Sequence, residues 1–136
     1  MEFKIIILAK NKIMSSNIIL TNQEIDHKIK RIAYQIYETF GNEEEVVIAG
    51  IASNGFVFAE KIASALSSIS TLKVSICEVK INKQNPQEAI QTSLSPEEYK
   101  NKGLVLVDDV LNSGTTLIYA VRHFLDVPLK KFKTAV

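Results

Sequence analysis

Two adjacent carboxylates, Asp108 and Asp109, stand between an apolar run and a segment rich in hydroxyl groups. The preceding run, Leu104–Val107, is continuously apolar, as expected of a strand that is buried on both faces of a parallel sheet. Open α/β sheets bind their ligands at the carboxyl ends of such strands. The pair is therefore predicted to lie where carboxylates can hold sugar hydroxyl groups or a cation.

The segment that follows, Asn112–Thr116, is small, contains a glycine and runs into a helical apolar pattern over Leu117–Leu125. Free backbone N–H groups and the helix dipole make a helix N-terminus favourable for an anion such as phosphate. A phosphate cradle beside two carboxylates suggests a phosphorylated sugar as the ligand. The alternative interpretation is an ordinary strand–loop–helix junction that happens to be acidic.

A second strand–turn–helix unit lies earlier in the chain. The apolar strand Val46–Ile51 leads into a tight turn, Ala52–Gly55, which opens a helix over Phe56–Leu66. The glycine in this turn allows a close backbone approach or a positive φ angle. Because crossovers between parallel strands are right-handed, both turns are predicted to lie on the same edge of one sheet.

Length and composition indicate the number of domains and the general class of protein. The chain has 136 residues, of which 46% are hydrophobic and 23% charged, which predicts one globular domain with a sizeable core. A net charge of +1 gives no broad attraction to nucleic acid or to an anionic membrane. The single cysteine, Cys77, excludes an intramolecular disulfide and is expected to be a buried small hydrophobic residue. Since no membrane span or signal peptide is evident, we expect a cytoplasmic protein.

The first long helix is predicted from apolar residues at helical spacing. It begins near a capping box at Thr21–Glu24 and ends at Gly41. His27 is expected to be a solvated side chain on this helix. A small basic cluster on the same helix is interpreted as an exposed face, and its members are Lys28, Lys30 and Arg31.

The second half of the chain is predicted to contain a strand, a long loop and a final strand. Alternating apolar residues over Leu72–Cys77 predict a half-buried strand. The polar segment Lys80–Gly103 is predicted to be a loop with few apolar anchors, in which Ser95-Pro-Glu-Glu starts one helical turn. His123, after the carboxylate pair, is expected to be structural, and Phe132–Val136 begins another strand.

The first residues allow two interpretations. Residues 1–17 are treated as an extension, and residues 18–136 as the domain proper. Phe3–Leu8 is either an added edge strand or an artefact of the assumed start site, because Met14 opens a plausible N-terminus of its own.

The run Val105–Thr116 resembles the phosphoribosyl-pyrophosphate signature of the type I phosphoribosyltransferases. Among them it resembles most the bifunctional pyrimidine-operon regulators that are also uracil phosphoribosyltransferases. The turn in Gly50–Gly55 resembles the region of that family that holds pyrophosphate. The resemblance implies an α/β fold with a parallel sheet flanked by helices. We expect this chain, which ends at Val136, to lack the family's C-terminal hood, which recognises the base.

The resemblance also implies a role for each matching residue. The catalytic pair, which holds the ribose hydroxyls and indirectly, through water, Mg²⁺, is Asp108 and Asp109. The loop that binds the 5′-phosphate is Asn112, Ser113, Gly114, Thr115 and Thr116. The turn that faces pyrophosphate is Ala52, Ser53, Asn54 and Gly55. The implied reaction is displacement of pyrophosphate from phosphoribosyl pyrophosphate by a nucleobase, for which uracil is the predicted substrate, and the implied assembly is a homodimer.

Three departures from the family pattern keep other functions open. Pyrimidine-type relatives carry arginine where Asn54 stands, and arginine suits bidentate phosphate binding. Purine-type relatives carry a catalytic aspartate where Asn112 stands, and an amide cannot act as a general base. The third departure is the missing hood. The alternatives are therefore a regulator that senses phosphoribosyl pyrophosphate or a nucleotide and binds RNA through a local basic face, and a truncated copy without catalytic activity.

Overall fold

The chain forms a six-stranded sheet with helices on both faces, in the strand order β1-β6-β5-β2-β3-β4. Neighbouring strands are parallel except β3 and β4, which are antiparallel. The computed structural model describes residues 3–6, 22–52, 54–82, 84–85, 87–108 and 115–135. The strands are β1 Phe3–Ile6, β2 Glu45–Ile51, β3 Lys73–Lys80, β4 Gln91–Thr92, β5 Gly103–Val107 and β6 Lys131–Ala135. The helices are α1 Asn22–Phe40, α2 Asn54–Ile69, α3 Pro96–Tyr99 and α4 Thr115–Phe124.

One face of the sheet is covered by α1 and α2. The apolar residues that predicted α1 are buried there, and they include Ile29, Ile32, Ala33, Ile36 and Phe40. The helix ends at Phe40, immediately before Gly41, so the predicted end is confirmed. Thr21, the first residue of the predicted capping box, lies outside the described residues.

The other face is covered by α4 and by the segment between β3 and β5. Tyr99 in this segment is 1% exposed, and its ring meets that of Phe124 edge-on, with 5.1 Å between centroids. The Ser95 N–H donates to Glu98 Oε2 at 2.6 Å, so the predicted helical turn is confirmed as α3. The prediction of a loop with few apolar anchors is wrong, because the segment also contains β4 and packs several side chains into the core. These are Ile81, Ile90, Leu94 and Tyr99.

Strand β3 departs from the predicted half-buried pattern. Cys77 is fully buried, as expected, but so is Val79 on the same face, whereas Ile76 on the opposite face is 38% exposed. Cys77 and Val79 are buried because α4 and the β3–β5 segment cover the face of the sheet on which they lie. Val74 packs with the α1 and α2 core and Cys77 with the α4 core. Burial raises the pKa of the Cys77 thiol.

The remaining sequence predictions concern exposed faces. On α1, His27, Lys30 and Arg31 are exposed and Lys28 is half-buried, in agreement with a solvated face. Leu125, which the pattern placed toward the core, is instead 42% exposed because α4 ends one residue earlier. None of the helices that the structure describes combines the length and the apolar character needed to cross a membrane.

Candidate functional site

The carboxyl ends of β2 and β5 lie side by side at one edge of the sheet. The two strands are parallel neighbours, with Gly50 opposite Val107. Immediately beyond β2, the Ala52 N–H donates to the carbonyl of Val79 at 2.8 Å. Immediately beyond β5, the Asp108 N–H donates to the carbonyl of Ala135 at 2.9 Å. The carboxyl ends of the two strands that lead into the predicted turns therefore share an edge, as predicted, whereas residues 112–114 of the second turn lie outside the described residues.

Gly55 brings the first turn of α2 directly against the end of β5. A Cβ atom at this position would lie 2.8 Å from the Val107 carbonyl oxygen and 3.1 Å from the Asp108 Cα. Real Cβ atoms do not approach backbone that closely, so the glycine is what permits the contact. The N-terminus of α2 and the start of the carboxylate pair are therefore adjacent in space, although more than fifty residues separate them in the sequence.

The described residues of the predicted site differ in exposure. Asp108 is 3% exposed, whereas Asn54 is exposed at the first position of α2. Ala52 is half-buried and Gly55 is buried. Five other residues of the predicted site lie outside the described residues. They are Ser53 of the turn, Asp109 of the carboxylate pair, and Asn112, Ser113 and Gly114 of the phosphate loop.

Helix α4 completes the edge. It begins at Thr115, which is exposed, and continues through the half-buried Thr116. Because α4 connects two parallel neighbours, β5 and β6, its N-terminus lies at the carboxyl edge of the sheet. The positive end of its helix dipole can attract an anion there. The edge therefore carries two helix N-termini, those of α2 and α4, with Asp108 beside the first of them.

The described residues at this edge supply few ligands for a divalent cation. Among the described residues, no group of three or more histidine, cysteine, aspartate or glutamate side chains is placed to hold a metal ion. Mg²⁺ is commonly bound by one or two carboxylates together with substrate phosphates and water. A single buried carboxylate, Asp108, followed in sequence by Asp109, fits that kind of shared coordination.

A groove between α4 and the β3–β5 segment was not singled out in the sequence. Its lining is polar and comprises Gln87, Glu88, Ile90, Tyr119, Arg122, His123 and Asp126. The His123 pKa is lowered by burial, which the nearby Asp126 carboxylate partly opposes. The sequence signal was the helical spacing of three α4 residues, Tyr119, Arg122 and His123, but only the packing of the β3–β5 segment against α4 forms the groove.

Comparison with known proteins places this fold in a family. The chain matches the phosphoribosyl transferase domain over residues 15–136. The chain belongs to the phosphoribosyltransferase family. Hypoxanthine phosphoribosyltransferase from Trypanosoma cruzi, complexed with the product IMP, superimposes with a TM-score of 0.75 over 90% of this chain and 66% of that one, at 18% identity. A hypoxanthine-guanine phosphoribosyltransferase from Bacillus anthracis gives a TM-score of 0.68 over 87% of this chain and 68% of that one, at 22% identity. The predicted fold is thereby confirmed.

The curated relatives bear one recurring name. The bifunctional protein PyrR of Streptococcus thermophilus is 32% identical over 114 residues, which cover 82% of this chain and 66% of that protein. PyrR of Chloroflexus aurantiacus is 31% identical over 116 residues, covering 80% and 64%. The resemblance to this subgroup is therefore confirmed at the level of sequence similarity. The chain spans about two thirds of the length of these relatives.

The close contact at Gly55 predicts that a side chain at this position destabilises the fold, and Gly103 at the other end of β5 serves as the control. Gly55→Ala is expected to lower the free energy of unfolding by about 1–3 kcal/mol, as overpacking does, and to shift the backbone amide signals of Asn54 and Asp108. Gly103→Ala, at the opposite end of β5, would place its Cβ 2.5 Å from the Phe40 ring and should destabilise comparably. Urea unfolding and amide chemical shifts check both variants. Equal shifts of the Asp108 amide in the two variants would contradict the contact's specific role at this edge.

Proposed function

We propose that this chain carries the phosphoribosyl-pyrophosphate site of a nucleobase phosphoribosyltransferase that acts as a homodimer. The observation that supports this most is the close approach of Gly55 to the end of β5, where a Cβ atom would lie 2.8 Å from the Val107 carbonyl oxygen. It sets the turn that would face pyrophosphate beside the carboxylate that would hold the ribose. A ligand with diphosphate on one side of a sugar and phosphate on the other suits two helix N-termini flanking a carboxylate.

In the proposed reaction, a nucleobase nitrogen bonds to the anomeric carbon as the bond from that carbon to the pyrophosphate oxygen breaks. The proton of that nitrogen is released to water or to the departing pyrophosphate. Asp108 and Asp109 hold the ribose hydroxyls and stabilise the positive charge that develops on the sugar. The N-terminal turn of α4 fixes the 5′-phosphate, so that catalysis arises largely from positioning. Mg²⁺, held indirectly by the two aspartates, would supply charge neutralisation for the departing diphosphate.

The proposed base is uracil. The PyrR relatives support a pyrimidine, and Asn112 lacks the carboxylate that a purine-type general base needs. The test is pyrophosphate release from phosphoribosyl pyrophosphate and Mg²⁺ with uracil, hypoxanthine or guanine added separately. Release with uracil is expected. Release with a purine alone would contradict the pyrimidine assignment, and ligand binding without release with any base would favour the truncated, non-catalytic alternative.

Asn54 is uncharged where pyrimidine-type relatives carry arginine, and this difference predicts the effect of restoring the arginine. Asn54→Arg is expected to raise the affinity for Mg²⁺-pyrophosphate about tenfold or more, because a charge-assisted hydrogen bond contributes roughly 1.5–3 kcal/mol. The exposed position of Asn54 leaves room for the longer side chain. Calorimetric titration checks the effect, with Asn54→Gln as the uncharged control. If the arginine and glutamine variants bind equally, Asn54 does not face the diphosphate.

A second candidate function is RNA binding, and an exposed ridge on α1 supports it. Two tyrosines on this ridge are large and solvent-accessible, Tyr34 at 48% and Tyr37 at 41% exposure, and they follow the exposed Lys30 and Arg31. Aromatic faces interleaved with basic side chains are typical of single-stranded nucleic-acid binding. Binding that weakens steeply with salt is expected. It should be lost in Lys30→Ala/Arg31→Ala but kept in Lys100→Ala, an exposed lysine just beyond α3. Equal binding by both variants would contradict the ridge.

A further inference from the structure

The turn that begins α2 brings no charged side chain to the site among its described residues. These are Ala52, Asn54 and Gly55, and none of them is ionisable. On the β5 side the turn lies against Asp108, since a Cβ atom at Gly55 would be 3.1 Å from the Asp108 Cα. The dipole of α2 favours an anion at the turn, whereas a carboxylate repels one. A diphosphate would therefore be held more firmly if a basic side chain from another element also reached this turn.

Strand β3 brings a basic residue to this edge of the sheet. The five parallel strands of the described sheet end in Ile6, Ile51, Lys80, Val107 and Ala135, and Lys80 is the charged residue among them. It is exposed. Within the part of the chain that the structure describes, no carboxylate forms an ion pair with Lys80. Its ammonium group is thus available to an anionic ligand.

Lys80 lies directly across from the start of the turn. In the parallel pair of β2 and β3, Ile51 is opposite Val79. The next residue, Ala52, donates its N–H to the Val79 carbonyl at 2.8 Å. Ala52 and Lys80 are therefore neighbours across one strand spacing, which is about 4.8 Å. The four-carbon stem of a lysine is long enough to cross that distance.

The side chain of Lys80 belongs to the face of the sheet that carries α2. Cys77 and Val79 pack with the α4 core on the opposite face, and successive residues of a strand point to alternate faces. Lys80 therefore shares its face with Val74, which packs with the α1 and α2 core. On the other side of the strand, Lys80 pairs with Gln91 of β4. The backbone of Lys80 is thus fixed between β2 and β4, on the face where α2 begins.

We propose that Lys80 is a diphosphate-binding residue, whose ammonium group donates to a phosphate oxygen of a ligand held at the N-terminal turn of α2. The inference rests on the proposed function, because it requires that this turn face a diphosphate. It gives a binding role to β3, a strand outside both predicted turns. A lysine ammonium is a point charge on a flexible stem, so it can stabilise the negative charge that develops on the diphosphate as its bond to the sugar breaks.

The first experiment compares the unmodified chain with Lys80→Ala and with Lys73→Ala. Lys73 is an exposed lysine at the other end of the same strand, about 23 Å away. Calorimetric titration uses two probes, Mg²⁺-pyrophosphate and ribose 5-phosphate. Lys80→Ala should weaken the binding of pyrophosphate about tenfold, the lower end of what a hydrogen bond between charged groups contributes, and should leave ribose 5-phosphate binding unchanged. Lys73→Ala should bind both probes like the unmodified chain.

The outcomes of this titration distinguish the role of Lys80 from the proposed function. If the unmodified chain binds pyrophosphate and both variants bind it equally well, Lys80 does not contact the diphosphate and the proposed function stands. The same loss for both probes in Lys80→Ala would also overturn the role of Lys80, because a general structural effect would then explain it. If the unmodified chain binds neither pyrophosphate nor phosphoribosyl pyrophosphate, the proposed function is wrong and the role of Lys80 is wrong with it.

A second experiment tests the same contact in the unmodified chain. Lysine side chains are acetylated with limiting acetic anhydride, and the rate at each lysine is measured by mass spectrometry. Mg²⁺-pyrophosphate should slow the acetylation of Lys80 but not that of Lys73, because a lysine that donates to a phosphate oxygen is shielded from the reagent. Equal rates at Lys80 with and without pyrophosphate would overturn the proposal.

Discussion

Replacing both Asp108 and Asp109 with asparagine is expected to weaken the Mg²⁺-dependent binding of phosphoribosyl pyrophosphate by about a hundredfold or more. Each carboxylate is proposed to accept hydrogen bonds from ribose hydroxyls, and a hydrogen bond to a charged group contributes roughly 1.5–3 kcal/mol. Loss of both should lower the affinity by about 100- to 10,000-fold, at 1.4 kcal/mol per factor of ten. Asparagine keeps the shape of aspartate, so the burial of Asp108 at 3% exposure should be preserved. Calorimetric titration of both proteins measures the difference.

The matched control for this variant is Asp126→Asn. Asp126 is an exposed carboxylate just beyond the C-terminal end of α4. At 1.5 Å of rise per residue, it lies about 15 Å from the helix N-terminus at the carboxyl edge. Binding by this control should equal that of the unmodified chain. If the double aspartate variant binds as tightly as this control, or if neither protein binds, the proposed ligand is wrong.

Phe124→Ala should be the most destabilising single substitution considered. Phe124 is fully buried, and its ring lies 5.1 Å from that of Tyr99 and 6.4 Å from that of Phe132. Truncation of a buried phenylalanine removes apolar contacts and leaves a cavity, which together cost about 3–5 kcal/mol. Because Phe124 joins α4 to both β6 and the β3–β5 segment, the loss should affect the whole α4 side of the sheet. Urea unfolding measures the change in the free energy of unfolding.

The adjacent residue supplies the control for the core substitution. Leu125 follows Phe124 directly but is 42% exposed. Leu125→Ala should change the free energy of unfolding by no more than about 0.5 kcal/mol, as substitutions on the surface usually do. Similar losses in the two variants would show that the Tyr99–Phe124–Phe132 contacts are not the centre of this core.

Local patterns were sufficient wherever the neighbours of a residue in space are also its neighbours in sequence. The 3.6-residue repeat that buries Ile29 and Ile36 on α1 is of this kind, as are the glycine after Phe40 and the proline that opens α3. The common edge of the carboxyl ends of β2 and β5 was also predictable, because strands joined through helical crossovers run parallel and therefore end at the same edge of the sheet.

Contacts between distant stretches of the chain were decided only in the tertiary structure. The sequence shows a glycine at position 55, but only folding brings it against Val107 and Asp108. Tyr99 stands in a polar stretch, yet it is buried because Phe124 offers it an aromatic partner. The sequence of β1 likewise does not indicate which strand it pairs with, because a strand presents the same backbone groups to any edge. Periodicity is a property of one segment, whereas burial and strand pairing are set by whatever other segments lie across from it.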